Sequence, residues 1–120
     1  MEVKNRYVAL KRRHRRVRRK ISGTAQRPRM AIMLSNRNMY VQLIDDEAQH
    51  TLCSAFGTAG TAMNMEAAKS LGERLAAEAK SKSISNFVVD RAGYKYHGRL
   101  QAIVEAAIEG GLQNAKNREN

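Results

Sequence analysis

The fold is decided by residues 30–56, which read MAIMLSNRNMYVQLIDDEAQHTLCSAF. Three apolar runs of strand length, at residues 30–34, 39–44 and 51–56, are separated by polar, turn-forming residues such as those at 35–38. Short connections of this kind join neighbouring antiparallel strands. The stretch therefore predicts a three-stranded antiparallel meander.

A helix, a strand and a second helix are predicted after the meander. Apolar and small residues recur at helical spacing from Ala68 to Ala79, and Asn64 is positioned to cap the start of that helix. Residues 86–89 form a short apolar run, as expected of a strand covered on both faces. A second helical pattern extends from about His97 to Glu109. Because a strand–helix–strand crossover is right-handed and pairs its strands in parallel, the predicted fold class is α/β. We expect a four-stranded mixed sheet in βββαβα order, packed with helices.

The positive charge of the chain is concentrated at its N-terminal end. Residues 1–29 contain 12 of the 22 Lys and Arg residues and one acid, Glu2, whereas residues 30–120 contain 10 bases and 10 acids. Such a concentrated excess is typical of a segment that binds a polyanion. We therefore expect a basic RNA-binding arm at 1–29, without fixed structure when free because it has little apolar surface to bury. An α/β domain at 30–112 and a polar, frayed tail at 113–120 follow.

Several classes of protein are disfavoured by the sequence. No stretch approaches the roughly 18 apolar residues of a membrane helix, and no apolar region of a signal peptide follows the basic segment. The single cysteine, Cys53, predicts a small core residue in a reducing compartment. His and Cys residues lack metal-ligand spacing, and no phosphate-loop or dinucleotide motif is present. We expect a cytoplasmic protein with neither metal nor cofactor.

The arginine-rich run is the first candidate for nucleic-acid binding. Each neutralised phosphate releases condensed counterions, and Arg adds bidentate phosphate contacts. The alternative is a charge run that is merely solvated, or one that only resembles a nuclear-localisation signal. The candidate residues are Lys11, Arg12, Arg13, Arg15, Arg16, Arg18, Arg19 and Lys20.

A second candidate joins the end of the fourth strand to the start of the last helix. Ligands gather at the carboxyl ends of strands in open α/β sheets, and aromatic side chains can stack on bases. The alternative is a structural turn with its tyrosines packed on the core; Gly98 has a structural reason to be glycine in either case. The candidate residues are Arg91, Tyr94, Tyr96, His97, Gly98 and Arg99.

A third candidate surrounds the first strand. Arg27 and Arg29 precede it, and Asn36, Arg37 and Tyr40 lie around the turn that follows it. An RNA lying across this edge would contact all five. Tyr40 alternates in register with Gln42, so the pattern equally fits a half-buried sheet residue.

Five ordered stretches of the chain are similar to one known family. They are residues 17–24 (VRRKISGT), 27–29 (RPR), 35–36 (SN) with 39–46 (MYVQLIDD), 66–69 (EAAK) with 71–72 (LG), and 90–91 (DR) through Gly93 with 96–100 (YHGRL). With the basic arm that ends in residues 17–24, the resemblance covers about residues 10–112, and the motif YHGR is the most specific single match. In these stretches the chain resembles the bacterial-type large-subunit ribosomal protein eighteen.

The resemblance implies an architectural, non-catalytic role. Members of that family bind 5S rRNA and help to seat it on 23S rRNA in the central protuberance, beside large-subunit ribosomal protein five. By matching position, the RNA contacts would be those of the three candidates above, in a protein that is a monomer within a cytoplasmic or organellar ribosome. The chain departs from the family at Ala92, where Gly is frequent, and in a longer tail after Leu112. Ala92 could stiffen its loop.

Two other classes of function compete with this interpretation. Ribonuclease-H-like nucleases share a similar element order, but two-metal hydrolysis needs several carboxylates converging within about 4 Å of two ions. The first predicted strand has no acid, residues 45–47 lie at a turn, and Asp90 is alone at a strand end, so we expect no enzyme. A non-specific nucleic-acid chaperone would need the arm alone. Affinity for 5S rRNA compared with an unrelated duplex would separate it from the first interpretation.

Overall fold

The computed structural model describes residues 9–12, 22–35, 38–57, 64–91 and 95–114. Residues 9–12 are helical. From residue 29 onward the described chain forms strands and helices in the order βββαβαβ. They are β1 (Arg29–Leu34), β2 (Met39–Asp45), β3 (His50–Gly57), α1 (Met65–Ser81), β4 (Asn86–Asp90), α2 (Gly98–Glu109) and β5 (Gln113–Asn114).

The described strands form one mixed sheet in the spatial order β3-β2-β1-β4-β5. The antiparallel meander β1-β2-β3 is confirmed, and so is the parallel pairing of β4 with β1. The predicted number of four strands is wrong. Residues assigned to the tail form β5, which pairs in parallel with β4 and is joined to it by a bond from the Gln113 N–H to the Ser85 carbonyl at 2.8 Å.

A tight chain reversal explains the fifth strand. Helix α2 ends at Glu109, and Gly111 follows with a φ of 114°, in the left-handed region that favours glycine. Leu112 is then buried in the core. The two residues after it are thereby placed beside β4, although their own side chains carry no strand pattern.

The core lies between one face of the sheet and both helices. Met30 and Ile32 of β1 and Val41 and Leu43 of β2 are fully buried there. The helices pack closely because α1 has Gly72 at the contact, where a Cβ would lie 2.3 Å from the Ile103 carbonyl oxygen. No helix of the described residues packs on the opposite face, which we call the open face.

The two helices differ in whether the N-cap side chain bonds to the first turn. Asn64 is the N-cap of α1, as predicted, and its side chain accepts a bond from the Ala67 N–H at 2.9 Å. His97 is the N-cap of α2 but makes no side-chain cap bond. None of the helices in the described ranges has the length and hydropathy needed to cross a bilayer.

Candidate nucleic-acid interface

The second candidate group meets the part of the third group that follows β1 at one end of the sheet. Because β1 and β4 are parallel neighbours, both strands end at the same end of the sheet, where the turn after β1 and the segment after β4 begin. The turn is closed by Ser35, whose N–H donates to the Asn38 carbonyl at 2.9 Å. Arg99, in the first turn of α2, donates from Nη1 to the Ser35 carbonyl at 3.0 Å. This bond joins two chain segments that are 64 residues apart.

Several candidate side chains around this joint are open to solvent. Arg91, Tyr96 and His97 are exposed, and Arg99 is half-buried. Partial burial, with a smaller contribution from Glu105, raises the pKa of Tyr96. The alternative of tyrosines packed on the core does not hold for Tyr96, which is 41 % exposed.

A row of large apolar side chains crosses the open face beside this joint. In the strand register Met33 pairs with Tyr40, and Tyr40 pairs with Phe56. They are 61 %, 44 % and 49 % exposed, and the Tyr40 and Phe56 rings stack with centroids 5.6 Å apart. We call these three residues the apolar row.

Sequence reasoning found only one member of the apolar row. Met33 lies in the apolar run predicted as the first strand, but it is exposed because Met30 and Ile32 face the core from the other side of β1. Phe56 was not considered. The available signal was the alternation along β3, where Cys53 and Ala55 are buried and Ser54 and Phe56 are exposed.

Arg27 and Arg29, grouped together in the sequence, have different environments. Arg27 is exposed, and its N–H donates to Thr24 Oγ1 at 3.1 Å. The side chain of Arg29 is only 12 % exposed, and it pairs with Asp46 at 2.9 Å and with Asp90 at 2.9 Å. The bond to Asp46 is the main reason why the pKa of Arg29 lies above its ordinary value.

The remaining candidates are distributed between described and undescribed parts of the chain. Lys11 and Arg12 are exposed residues of the helical segment 9–12. Gly98 has a φ of 62°, which favours glycine at the start of α2, as the structural interpretation predicted. The following lie outside the described residues: Arg13, Arg15, Arg16, Arg18, Arg19, Lys20, Asn36, Arg37, Ala92 and Tyr94.

The acidic residues weighed for a nuclease serve other purposes. Asp46 and Asp90 converge on the guanidinium of Arg29, and Asp45 Oδ1 accepts bonds from the N–H groups of Glu47 and Ala48. Within the described residues, no three His, Cys, Asp or Glu side chains are grouped to hold a metal ion. Cys53 is buried, and that burial raises the pKa of its thiol.

Comparisons with known proteins agree on one family. The family model described as ribosomal L18 of archaea, bacteria, mitochondria and chloroplasts matches residues 4–114. A protein of Lysinibacillus sphaericus named large ribosomal subunit protein uL18 is 52 % identical over 107 residues, covering 86 % of this chain and 90 % of the relative. Proteins of the same name from a Synechococcus strain and from Herpetosiphon aurantiacus are 50 % and 47 % identical, covering 91 % and 85 % of this chain and 97 % and 90 % of their own lengths.

Proposed function

Because the chain belongs to the ribosomal L18 family, we propose that it is a structural protein of the large ribosomal subunit that binds 5S rRNA. It helps to attach 5S rRNA to 23S rRNA in the central protuberance, beside large-subunit ribosomal protein five. It acts as a monomer within the ribosome, in the cytoplasm or in an organelle. The relatives named above support the assignment to the large subunit. The family resemblance of the sequence supports 5S rRNA as the bound RNA.

The observation that favours this function most is the bond between Arg99 and Ser35, because it assembles a composite surface. It holds the start of α2 against the β1–β2 turn, and Tyr40 is the second residue of the strand that follows that turn. Cations for phosphates are thereby fixed beside exposed rings for bases. Arg99 has N–H groups beyond the one bonded to Ser35, since a guanidinium has five.

The apolar row gives this surface a means of binding unpaired bases. A base stacked on an aromatic side chain contributes about 1–3 kcal/mol, whatever its identity. Sequence-specific recognition of RNA uses such splayed bases together with 2′-OH and phosphate contacts. The stacked Tyr40 and Phe56 rings lie on rigid strands, so they present a preformed platform rather than a mobile one.

Affinity and selectivity are divided between the arm and the domain in this proposal. The arm holds the net positive charge of the chain, and contacts to phosphates bind any folded RNA. The domain has no net charge after residue 29, so its contribution depends on shape and on specific contacts. Selectivity for 5S rRNA therefore belongs to the surface around Arg91, Arg99 and the apolar row.

A competition titration of single variants tests this division. Arg91→Ala and Arg99→Ala should each weaken 5S rRNA binding by about fivefold to 150-fold, corresponding to about 1–3 kcal/mol for a lost charge-assisted bond, with little effect on an unrelated duplex at the same salt. Lys69→Ala is the matched control, because it removes one positive charge from an exposed position on α1. Equal losses for both RNAs in all three variants would favour a non-specific nucleic-acid chaperone instead.

A further inference from the structure

The root of the arm is bonded to Asp46 at the end of β2 by a reciprocal pair of hydrogen bonds. The Gly23 N–H donates to Asp46 Oδ2 at 2.7 Å, and the Asp46 N–H donates to the Gly23 carbonyl at 3.0 Å. Five residues further on, the Pro28 carbonyl accepts from the Val88 N–H at 3.0 Å. Residues 23–28 are therefore fixed to the sheet at both ends.

Asp46 connects this root to the fold through Arg29. Its two carboxylate oxygens accept from Arg29 Nε at 2.9 Å and Nη2 at 3.0 Å, while Arg29 Nη1 donates to the buried Asp90 at 2.9 Å. We call Gly23, Arg29, Asp46 and Asp90 the arm clamp. The Asp46 carboxylate therefore accepts bonds both from the arm root, at Gly23, and from β1, at Arg29.

Gly23 fits the arm clamp because it has no side chain. A Cβ at this position would lie 2.3 Å from the Ile44 carbonyl oxygen and 2.4 Å from the Arg29 nitrogen, both of them backbone atoms that cannot move aside independently. The buried backbone at Gly23 is thus pressed directly on β1 and β2. A passive linker between an arm and a domain would not need so close an approach.

The arm clamp and the apolar row lie at opposite ends of the sheet. Tyr40 is near the start of β2, and Asp46 directly follows its end. Tyr40 and Asp46 are six positions apart along the chain, which corresponds to about 20 Å of extended strand. An RNA that contacts both the apolar row and the arm must span that distance.

We infer that Asp46 and Arg29 are positioning residues for RNA binding: through Gly23 they fix the point from which the arm leaves the domain. This inference rests on the proposed function, since it assumes one RNA bound by both parts. Arm and domain then bind as two linked sites, and a fixed exit point keeps the effective concentration of one site at the other high. Without the arm clamp, residues 23–28 become a flexible tether with an r.m.s. reach of about 13 Å.

The test compares Asp46→Ala with Glu47→Ala in the full-length protein. Both variants remove one carboxylate from adjacent positions, but Glu47 is exposed and lies outside the arm clamp. We expect Asp46→Ala to weaken 5S rRNA binding about tenfold relative to Glu47→Ala, because the arm must be ordered anew in the complex. Affinity for an unrelated duplex and its salt dependence should be equal in the two variants, since all arm charges remain.

Each outcome of this test has a distinct meaning. Equal 5S rRNA affinities for Asp46→Ala and Glu47→Ala, with a wild-type protein that prefers 5S rRNA, would overturn the positioning role alone. A wild-type protein without that preference would overturn the proposed function itself. Loss of binding to both RNAs in proportion to unfolding would assign Asp46 to stability and not to positioning.

A measurement on the unmodified protein remains decisive if Asp46→Ala does not fold. Amide hydrogen exchange reports directly on the Gly23 N–H in the RNA-free protein. We expect Gly23 to be protected to a degree similar to amides of β2, because its donor is bonded to Asp46 at 2.7 Å. Exchange at the rate of an unstructured peptide would overturn the inference.

Discussion

Replacing Arg29 by Met should destabilise the folded domain by about 3 kcal/mol, because it removes a guanidinium shared by two carboxylates. Met retains most of the apolar stem of arginine, so the change acts chiefly on the charge. The two ion pairs are both 2.9 Å long, and the side chain of Asp90 is only 1 % exposed. Asp90 would remain in its buried site without that guanidinium.

The magnitude follows from how much each carboxylate is buried. Removing one partner of a buried ion pair costs about 3–5 kcal/mol. The lower end applies here because the side chain of Asp46 is 19 % exposed and keeps the Gly23 N–H as a partner. For a domain of this size, 1 kcal/mol shifts Tm by about 4–8 °C, so Tm should fall by about 12–24 °C.

Thermal unfolding followed by circular dichroism at neutral pH measures this shift. Arg27→Met is the matched control, since Arg27 is exposed and lies two residues away; its stability should remain within about 0.5 kcal/mol of the wild type. If Arg29→Met and Arg27→Met had the same Tm, the structural role assigned to Arg29 would be wrong. A stable Arg29→Met with weakened RNA binding would assign Arg29 to RNA binding, by positioning the arm or by direct contact, and not to stability.

Three further predictions concern the arm, the open face and the core. Log affinity for RNA should fall with log salt at a slope of roughly −5 to −9, and deletion of residues 1–20 should reduce that slope by several units while circular dichroism shows a folded domain; an unchanged slope would place the phosphate contacts elsewhere. Tyr40→Ala should cost about 1–3 kcal/mol of 5S rRNA affinity in a titration, because it removes a stacking ring. Ser54→Ala, on the same face, should leave the 5S rRNA affinity unchanged. Equal losses of affinity in the two variants would exclude stacking at the apolar row. Burial raises the pKa of Cys53, so its alkylation by iodoacetamide should be slow at neutral pH. The alkylation rate of the folded protein should rise with pH at higher pH values than that of the urea-unfolded chain. Identical pH profiles for the folded and unfolded chains would contradict the burial of Cys53.

The apolar patterns of the sequence predicted the elements that bury their own side chains. The runs at 30–34, 39–44, 51–56 and 86–89 all form strands, and both helical patterns form helices. Strand β5 was missed because its residues, Gln113 and Asn114, are polar and are placed by the neighbouring β4 edge and the buried Leu112. A strand that depends on its neighbour leaves no periodic signal of its own.

The candidate site was predictable in composition but not in geometry. Arg29 is surrounded by other bases in the sequence, so it was grouped with the RNA contacts. The carboxylates that hold it are 17 and 61 residues away along the chain, and nothing in the local pattern indicates that they converge. Met33 shows the same limit, because a run of five apolar residues does not reveal which face of its strand will be covered by helices.

The central claim, that this protein binds 5S rRNA within the large ribosomal subunit, is tested most directly by purifying the tagged full-length chain from a bacterium that expresses it. Sedimentation separates large subunits from the free fraction, and the RNA in each is quantified by length and sequence. We expect the tagged protein in the large-subunit fraction, and 5S rRNA bound to it in near-equimolar amount when the subunits are dissociated, with an arm-deleted and a wild-type chain compared side by side. A wild-type chain recovered free of large subunits, or with 5S rRNA no more abundant than other small RNAs, would contradict the claim.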